Sequence, residues 1–373
     1  MTIATYASWL LRLLLDAPHG PGDPRPTLPA FADRDGAAAL DWDVLLEVGQ
    51  ANAVLVRMAE RLAALGVSGP ERFVAAVAGE RQRIRAALEL MSQVSRACEA
   101  RGIRFLFPKA FQDYPDFGDD IDLLVLPRST RVDRGIIAGL LATPVGRDLG
   151  DRIAGTTTYR IKGYLSPLDV QHGRLGLVGE HDAFPQVLTR HARPVLVEGT
   201  EFAGARLEDQ LVLQGMQRVG GRLRVALCDV VFTVSTLRRA TLDWNYVIAT
   251  ARQHGALPGL SCYLSYVDQI HRDVFWQPLL SDVMRRSLML HGWGRIEFHD
   301  GAYRLPIIRA NGRLYWRQFR QRIAGGDWAG AARVCLAPIV AGARAARRLA
   351  RRTRPAAPPR GNRERTGPLA ELV

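Results

Sequence analysis

Asp120 and Asp122 stand on either side of Ile121, at the head of an apolar run that ends at Leu126. A short apolar run bounded by turn residues reads as a buried strand. Side chains on a strand alternate faces with period two. The two acids therefore project from one face, with Ile121 and Leu123 on the other. Neighbouring carboxylates repel each other, and burying them unpaired is costly. A divalent cation removes that repulsion. Mg²⁺ is commonly held by one or two carboxylates together with substrate phosphates. A two-metal site would stabilise both the attacking and the leaving oxygens of a phosphoryl transfer. Asp-x-Asp alone is a weak signal, because Asp also favours turns and caps.

The elements that must position this pair lie on either side of it. Ile103 to Phe107 is a second apolar run, broken by Arg104 alone, and a polar loop with Pro and Gly joins it to the acidic run. The order is strand, loop, strand. Asp116 and Asp119 read as loop residues, and Asp119 should face away from the pair. The loop opens on Lys109. The chain holds only two lysines, Lys109 and Lys162, among 50 basic residues. Lys is a compact point charge and Arg a planar fork, so a surviving Lys can mark a place where Arg does not work. Chance retention on a solvated surface is the competing reading, weightier for Lys162 than for Lys109.

The stretch Phe105-Leu106-Phe107-Pro108-Lys109-Ala110, then Tyr114, then Asp120-Ile121-Asp122-Leu123-Leu124-Val125, resembles the polymerase-β-type nucleotidyltransferase superfamily. Within it, the pattern is similar to a bacterial branch, the uncharacterised nucleotidyltransferases. The resemblance is close from Ile103 to Arg174 and looser to about Leu237. It implies Mg²⁺, or Mn²⁺, held by Asp120, Asp122 and a third acid from a later strand. Asp169, in Leu168-Asp169-Val170-Gln171-His172, is the best match for that third acid. The implied reaction moves a nucleotidyl group from a nucleoside triphosphate to a hydroxyl of a small-molecule or macromolecular acceptor. Asp169 would accept the hydroxyl proton or help hold a second metal. Lys109 would neutralise phosphate charge. Tyr114, Lys162, His172 and Arg174 complete the expected nucleotide contacts. Tyr114 could stack on a base, although a loop Tyr more often packs. His172 could be a base or phosphate donor, or a hydrogen-bonded structural His at a strand end. The sequence departs from the family pattern at Ala110, where Gly would let backbone N–H groups approach phosphate.

Composition narrows the remaining classes. Hydrophobic content of 47% is ordinary for a globular chain. No run of about 18 apolar residues exists, so no membrane-spanning helix is expected. The apolar Ala7 to Leu15 reads as a docking helix, without the basic leader of a signal peptide. Cys98, Cys228, Cys262 and Cys335 are scattered, with neither zinc nor disulfide spacing, which suits a reducing cytoplasm. The net charge is +13, but residues 341 to 373 carry nine Arg against two Glu. About half the excess sits in this tail, so no specific nucleic-acid partner is expected. Ala331 to Ala350 is a basic amphipathic stretch, suited to an anionic membrane surface and a site peripheral to the inner membrane.

The expected fold class is α+β: a small nucleotidyltransferase-like mixed sheet flanked by helical regions. Residues 1–101 read as helical, with Val44 to Met58 at helical spacing and a long helix from Phe73 to Arg101 closed by Gly102. The proposed core unit spans 102–178, with a helix at 132–141 and strands at 156–164 and 168–171. A helical bundle spans 179–330 and includes a hairpin of helices, 207–216 and 223–234, about Gly220-Gly221. Further helices are expected at 241–253 and 261–270, and a β-rich piece at 293–306. His181 reads as a helix-start feature. Residues 331–373 form the basic stretch, with Pro338 splitting or kinking any helix there, and a disordered tail. Two competing readings remain. One is a non-catalytic nucleotidyltransferase-like scaffold, favoured by Ala110. The other is a glycosyltransferase whose Asp-x-Asp holds a nucleotide-sugar, disfavoured by the helical N-terminal third.

Overall fold

The computed structural model of the chain describes residues 3–15, 40–112, 114–126, 131–145, 149–217, 224–288, 293–299 and 301–352. The Gly220-Gly221 break, Asp300 and the tail beyond Arg352 lie outside the described residues.

Among the described residues four helices come first: α1 (Ile3–Leu15), α2 (Trp42–Ala51), α3 (Leu55–Ala64) and α4 (Glu71–Glu99). The apolar residues of α1, from Tyr6 to Leu15, are buried in the main helical core, as a docking helix requires. The single helix expected through Val44 to Met58 is instead two. Buried Asn52 breaks it, because its amide is engaged elsewhere. Nδ2 donates to Val48 O (2.9 Å) and Gly301 O (2.6 Å), and Oδ1 accepts from Leu227 N (3.1 Å). Ala53 then takes φ +49°, and α3 starts afresh. Its N-cap residue, Val54, has no capping side chain. Buried Asp116 supplies the cap from a distance, accepting from Val56 N (2.7 Å) and Arg57 N (3.2 Å).

The central sheet holds β1 (Arg104–Leu106), β2 (Ile121–Leu126), β3 (Ala142–Pro144), β4 (Thr156–Ile161) and β5 (Leu168–His172), in the order β1-β2-β5-β4-β3. β2 and β5 are parallel and every other pair is antiparallel. The crossover between β2 and β5 carries the short helices α5 (Arg131–Ile136) and α6 (Leu149–Ala154). The helix expected over 132–141 stops at Ile136; Gly139, at φ +87°, turns the chain into edge strand β3. One face of the sheet buries Ile121, Leu123, Val125, Leu168 and Val170 against Ile84, Leu88, Met91 and Val94 of α4. On the other face, Leu106 and Leu124 enter the helical core.

The remainder is largely helical: α7 (Phe184–Arg190), the hairpin β6 (Arg193–Val197) and β7 (Thr200–Gly204), then α8 (Leu207–Gln217), β8 (Arg224–Val225), α9 (Leu227–Arg239), α10 (Trp244–Gln253) and α11 (Leu257–Phe275). α12 (Asp282–Ser287), β9 (Glu297–His299), β10 (Ala302–Arg304), α13 (Ile307–Ala324) and α14 (Trp328–Arg352) follow. The second helix of the expected hairpin begins at Leu227, not near 223. β8 takes the preceding residues to pair with β10. Asp229 thereby falls in the first turn of α9, where its carboxylate accepts from Ala226 N (2.9 Å). A fully buried Asp thus serves as a cap. Pro338 does not split α14, which runs through it. The four cysteines are free thiols. Among the described residues no helix is long and apolar enough to cross a membrane. The whole is an α+β fold.

Candidate metal centre

Parallel pairing of β2 with β5 sets the geometry of the acids. The register places Asp122 directly opposite Asp169, on neighbouring strands about 4.8 Å apart. Asp120 lies just before β2, two residues from Asp122 and on the same face. Each of the three offers a carboxylate oxygen, and these oxygens lie within 4.8 Å of one another. They line a cavity of about 250 Å³ together with Lys109, Asp151, Thr156, Gln171, Arg174 and the Leu175-Gly176-Leu177 turn.

The entrances to both acid-bearing strands are held by one side chain, Arg83 of α4. Its guanidinium donates to Phe117 O (3.0 Å) and Gly118 O (2.8 Å) before β2, and to Ser166 Oγ (2.9 Å) before β5. Glu80 fixes it in turn through two bonds of 3.0 and 2.6 Å. Lys109 follows Phe107, whose N–H bonds to Ala203 O of β7 (2.9 Å). The Lys109 ammonium reaches Asp122 Oδ2 at 2.7 Å. Gln171 Nε2 donates to Asp122 Oδ1 at 2.6 Å. Ala110 does not adopt a left-handed backbone, so a side chain in place of the family Gly introduces no strain there.

The electrostatics are those of crowded acids. Burial pushes the Asp169 carboxyl up to about 6. A hydrogen bond from Thr158, its cross-strand partner, opposes the shift, and the charges of Asp122, Asp120 and Asp151 add to it. Asp169 Oδ1 is buried without a hydrogen-bond partner. An orphaned acid oxygen beside two further carboxylates is a donor set for a hard, oxygen-seeking divalent cation. Soft thiolate ligands are absent from it, and the two nearest-numbered His, His172 and His181, do not line the cavity.

Of the residues expected to contact nucleotide, Lys109 and Arg174 line the cavity and Tyr114, Lys162 and His172 do not. Tyr114 donates to Glu198 Oε1 (3.0 Å) at the β6–β7 turn. Lys162 is exposed beyond the last residue of β4, whereas the cavity takes Thr156 at the first. His172 follows Asp169 by three residues and so faces the opposite side of β5. There its Nε2 lies 3.3 Å from Asp133 Oδ1, and Tyr159 donates to Asp133 Oδ2 (2.6 Å). His181 is buried beside Arg322, away from the acids. Burial, and then the Arg322 charge, lower its ring to about 3, so it is neutral.

Four residues of the site escape a motif-based reading: Arg83, Thr158, Gln171 and Asp151. Gln171 was recoverable, since period two puts it on the same face as Asp169. Asp151 sits in the first turn of α6, a helix too short to show a period. Arg83 acts across the fold and leaves no local signal.

Residues 38–271 match a family model described as uncharacterised nucleotidyltransferase, a span that holds α2 to most of α11 and all three acids. No curated protein and no solved structure matches the chain.

Proposed function

We propose, for a chain that belongs to the uncharacterised nucleotidyltransferase family, transfer of a nucleotidyl group from a nucleoside triphosphate to an acceptor hydroxyl, with Mg²⁺ as the cation. The observation that carries this reading is the direct register of Asp122 against Asp169, with Asp120 beside them. Asp120, Asp122 and Asp169 would hold the cation, Mn²⁺ substituting for Mg²⁺. When bound, it supplies Lewis-acid neutralisation of phosphate charge.

The acceptor oxygen attacks the α-phosphorus, the bond from that phosphorus to the bridging oxygen breaks, and pyrophosphate leaves. Asp169 takes the proton of the attacking hydroxyl. Its Oδ1, buried without a hydrogen-bond partner, is the oxygen open to that proton. Lys109 and Arg174, at the cavity wall, present positive charge to the phosphates. Asp122 and Gln171 fix the position of Lys109 and of each other.

Calorimetry with the full chain tests the reading. Nucleoside triphosphates should bind with Mg²⁺ and not in EDTA, and Asp122→Ala should abolish binding. Binding of sugar nucleotides alone would favour a glycosyltransferase, and no nucleotide binding would favour a scaffold.

We also propose a cytoplasmic location with the C-terminal helix resting on an anionic membrane. The solvent side of α14 exposes Trp328, Leu336 and Ile339 ahead of the basic tail. Sedimentation with phosphatidylserine vesicles should fall when residues after Pro338 are deleted; unchanged sedimentation rejects the membrane.

A further inference from the structure

Both carboxylate oxygens of Asp122 are engaged by neighbouring side chains. Oδ2 meets the Lys109 ammonium at 2.7 Å and Oδ1 accepts from Gln171 at 2.6 Å. The Lys109 and Asp122 side chains are only 13% and 12% exposed. Asp169 Oδ1, by contrast, is buried and has no hydrogen-bond partner. The Lys109 ammonium thus stands among acids whose oxygens come within 4.8 Å of one another. An ammonium is a compact point charge with donors that rotate freely, close in kind to a small cation; a planar guanidinium is not. In a chain with 50 basic residues and only two lysines, the one in this position is a Lys.

Coulomb attraction at such a distance, in a partly shielded site, makes the ammonium a competitor for the carboxylate that a metal needs. The competition ends only if the ammonium gains another anion. A triphosphate entering the cavity would offer one, since Lys109 lines it.

We propose that Lys109 is an internal stand-in for the cation, holding Asp122 until a nucleoside triphosphate arrives and then exchanging the carboxylate for phosphate as the metal takes its place. The inference rests on the nucleotidyltransferase reading above. It adds an order of events: metal alone binds weakly, and nucleotide and metal enter together. Gln171 keeps Asp122 in one orientation through both states.

Two measurements on the full chain test it, neither of them an activity. The first is Mn²⁺ binding by the electron paramagnetic resonance of free Mn²⁺, for wild type and Lys109→Met, each with no nucleotide. Removing a charged hydrogen bond that competes for the ligand should tighten Mn²⁺ binding about tenfold to a hundredfold in Lys109→Met. The second uses wild type alone, so a folding defect in the variant cannot decide the matter. Lysine-selective acylation, read by mass spectrometry, compares Lys109 with exposed Lys162 as the internal standard. Lys109 should label slowly in EDTA, faster in saturating Mn²⁺ as its ammonium is displaced, and slowly again when the α,β-methylene ribonucleoside triphosphates are added. Lys109→Met binding Mn²⁺ no tighter than wild type overturns the inference, as does Lys109 labelling that saturating Mn²⁺ leaves unchanged. If neither protein retains Mn²⁺ at millimolar concentration, with or without the analogues, the cation reading itself falls and takes the inference with it.

Discussion

Asp169→Asn should make the metal-free protein more stable. The folded carboxyl sits near 6, raised mainly by burial. An unfolded Asp titrates near 3.9. Between these values the folded state binds more protons than the unfolded one, so stability falls as pH rises through the window and is flat above it. Two pKa units at 1.36 kcal/mol each set the cost at neutral pH at ~2–3 kcal/mol. Asn keeps the volume and can still accept the Thr158 hydrogen bond, while the charge and its repulsion by Asp120, Asp122 and Asp151 disappear. For a chain of 373 residues, an unfolding entropy of ~2.1 cal/mol/K per residue converts that gain to a rise in Tm of about 3–4 °C. The assay is thermal unfolding in EDTA at pH 7.5 and again near pH 4, where wild type and variant should converge. Saturating Mn²⁺ should then close most of that gap, because it stabilises wild type by about 2.7 kcal/mol at a hundred times its Kd and the variant hardly at all. A variant less stable than wild type in EDTA at pH 7.5, or a gap that does not depend on pH, would refute the reasoning.

Three further substitutions probe the frame around the acids. Asp116→Ala removes the remote cap of α3, leaves two backbone N–H groups without their acceptor and takes from Arg57 its carboxylate, Tyr114 O remaining; urea unfolding should show a loss of about 2–3 kcal/mol, with Mn²⁺ affinity unaltered in the folded fraction. Arg83→Met cuts the ties from α4 to the entrances of β2 and β5; Mn²⁺ affinity should fall about ten- to a hundredfold, as when outer partners of a metal ligand are lost, while circular dichroism stays that of wild type. Asp327→Ala removes the carboxylate that pairs the Arg322 guanidinium, which is 5% exposed, leaving it only the neutral partners His181 and His254 O on Nη2 among its hydrogen bonds, and differential scanning calorimetry should register a loss of about 3 kcal/mol without change in nucleotide binding.

Local periodicity carried much of the architecture. The apolar run from Ile121 to Leu126 predicted β2 and the shared face of Asp120 and Asp122, and those oxygens do converge. The same period-two rule, applied to β5, would have turned His172 away from Asp169 and brought Gln171 beside it. Helix breaks were less legible because their causes are tertiary. Asn52 interrupts a helical pattern through bonds to residues 175 and 249 positions away. A helix from 223 would hold Asp229 in its interior; pairing of β8 with β10 starts the helix at Leu227 and puts Asp229 in its first turn. Arg83 and Asp116 act over 83 and 60 residues of sequence, and nothing in their immediate neighbours announces it. Ala110 suggested a lost phosphate loop, yet its backbone is one any residue adopts.

The central claim is that Asp120, Asp122 and Asp169 share one divalent cation. Anomalous scattering at the manganese edge, from crystals grown with Mn²⁺ and a non-reacting nucleoside triphosphate, tests it most directly. The account predicts one strong peak within bonding reach, about 2.1–2.2 Å, of an oxygen from each acid, with the Lys109 ammonium moved from Asp122 onto phosphate. A peak elsewhere, or none with Lys109 still on Asp122 and nucleotide bound, would contradict it.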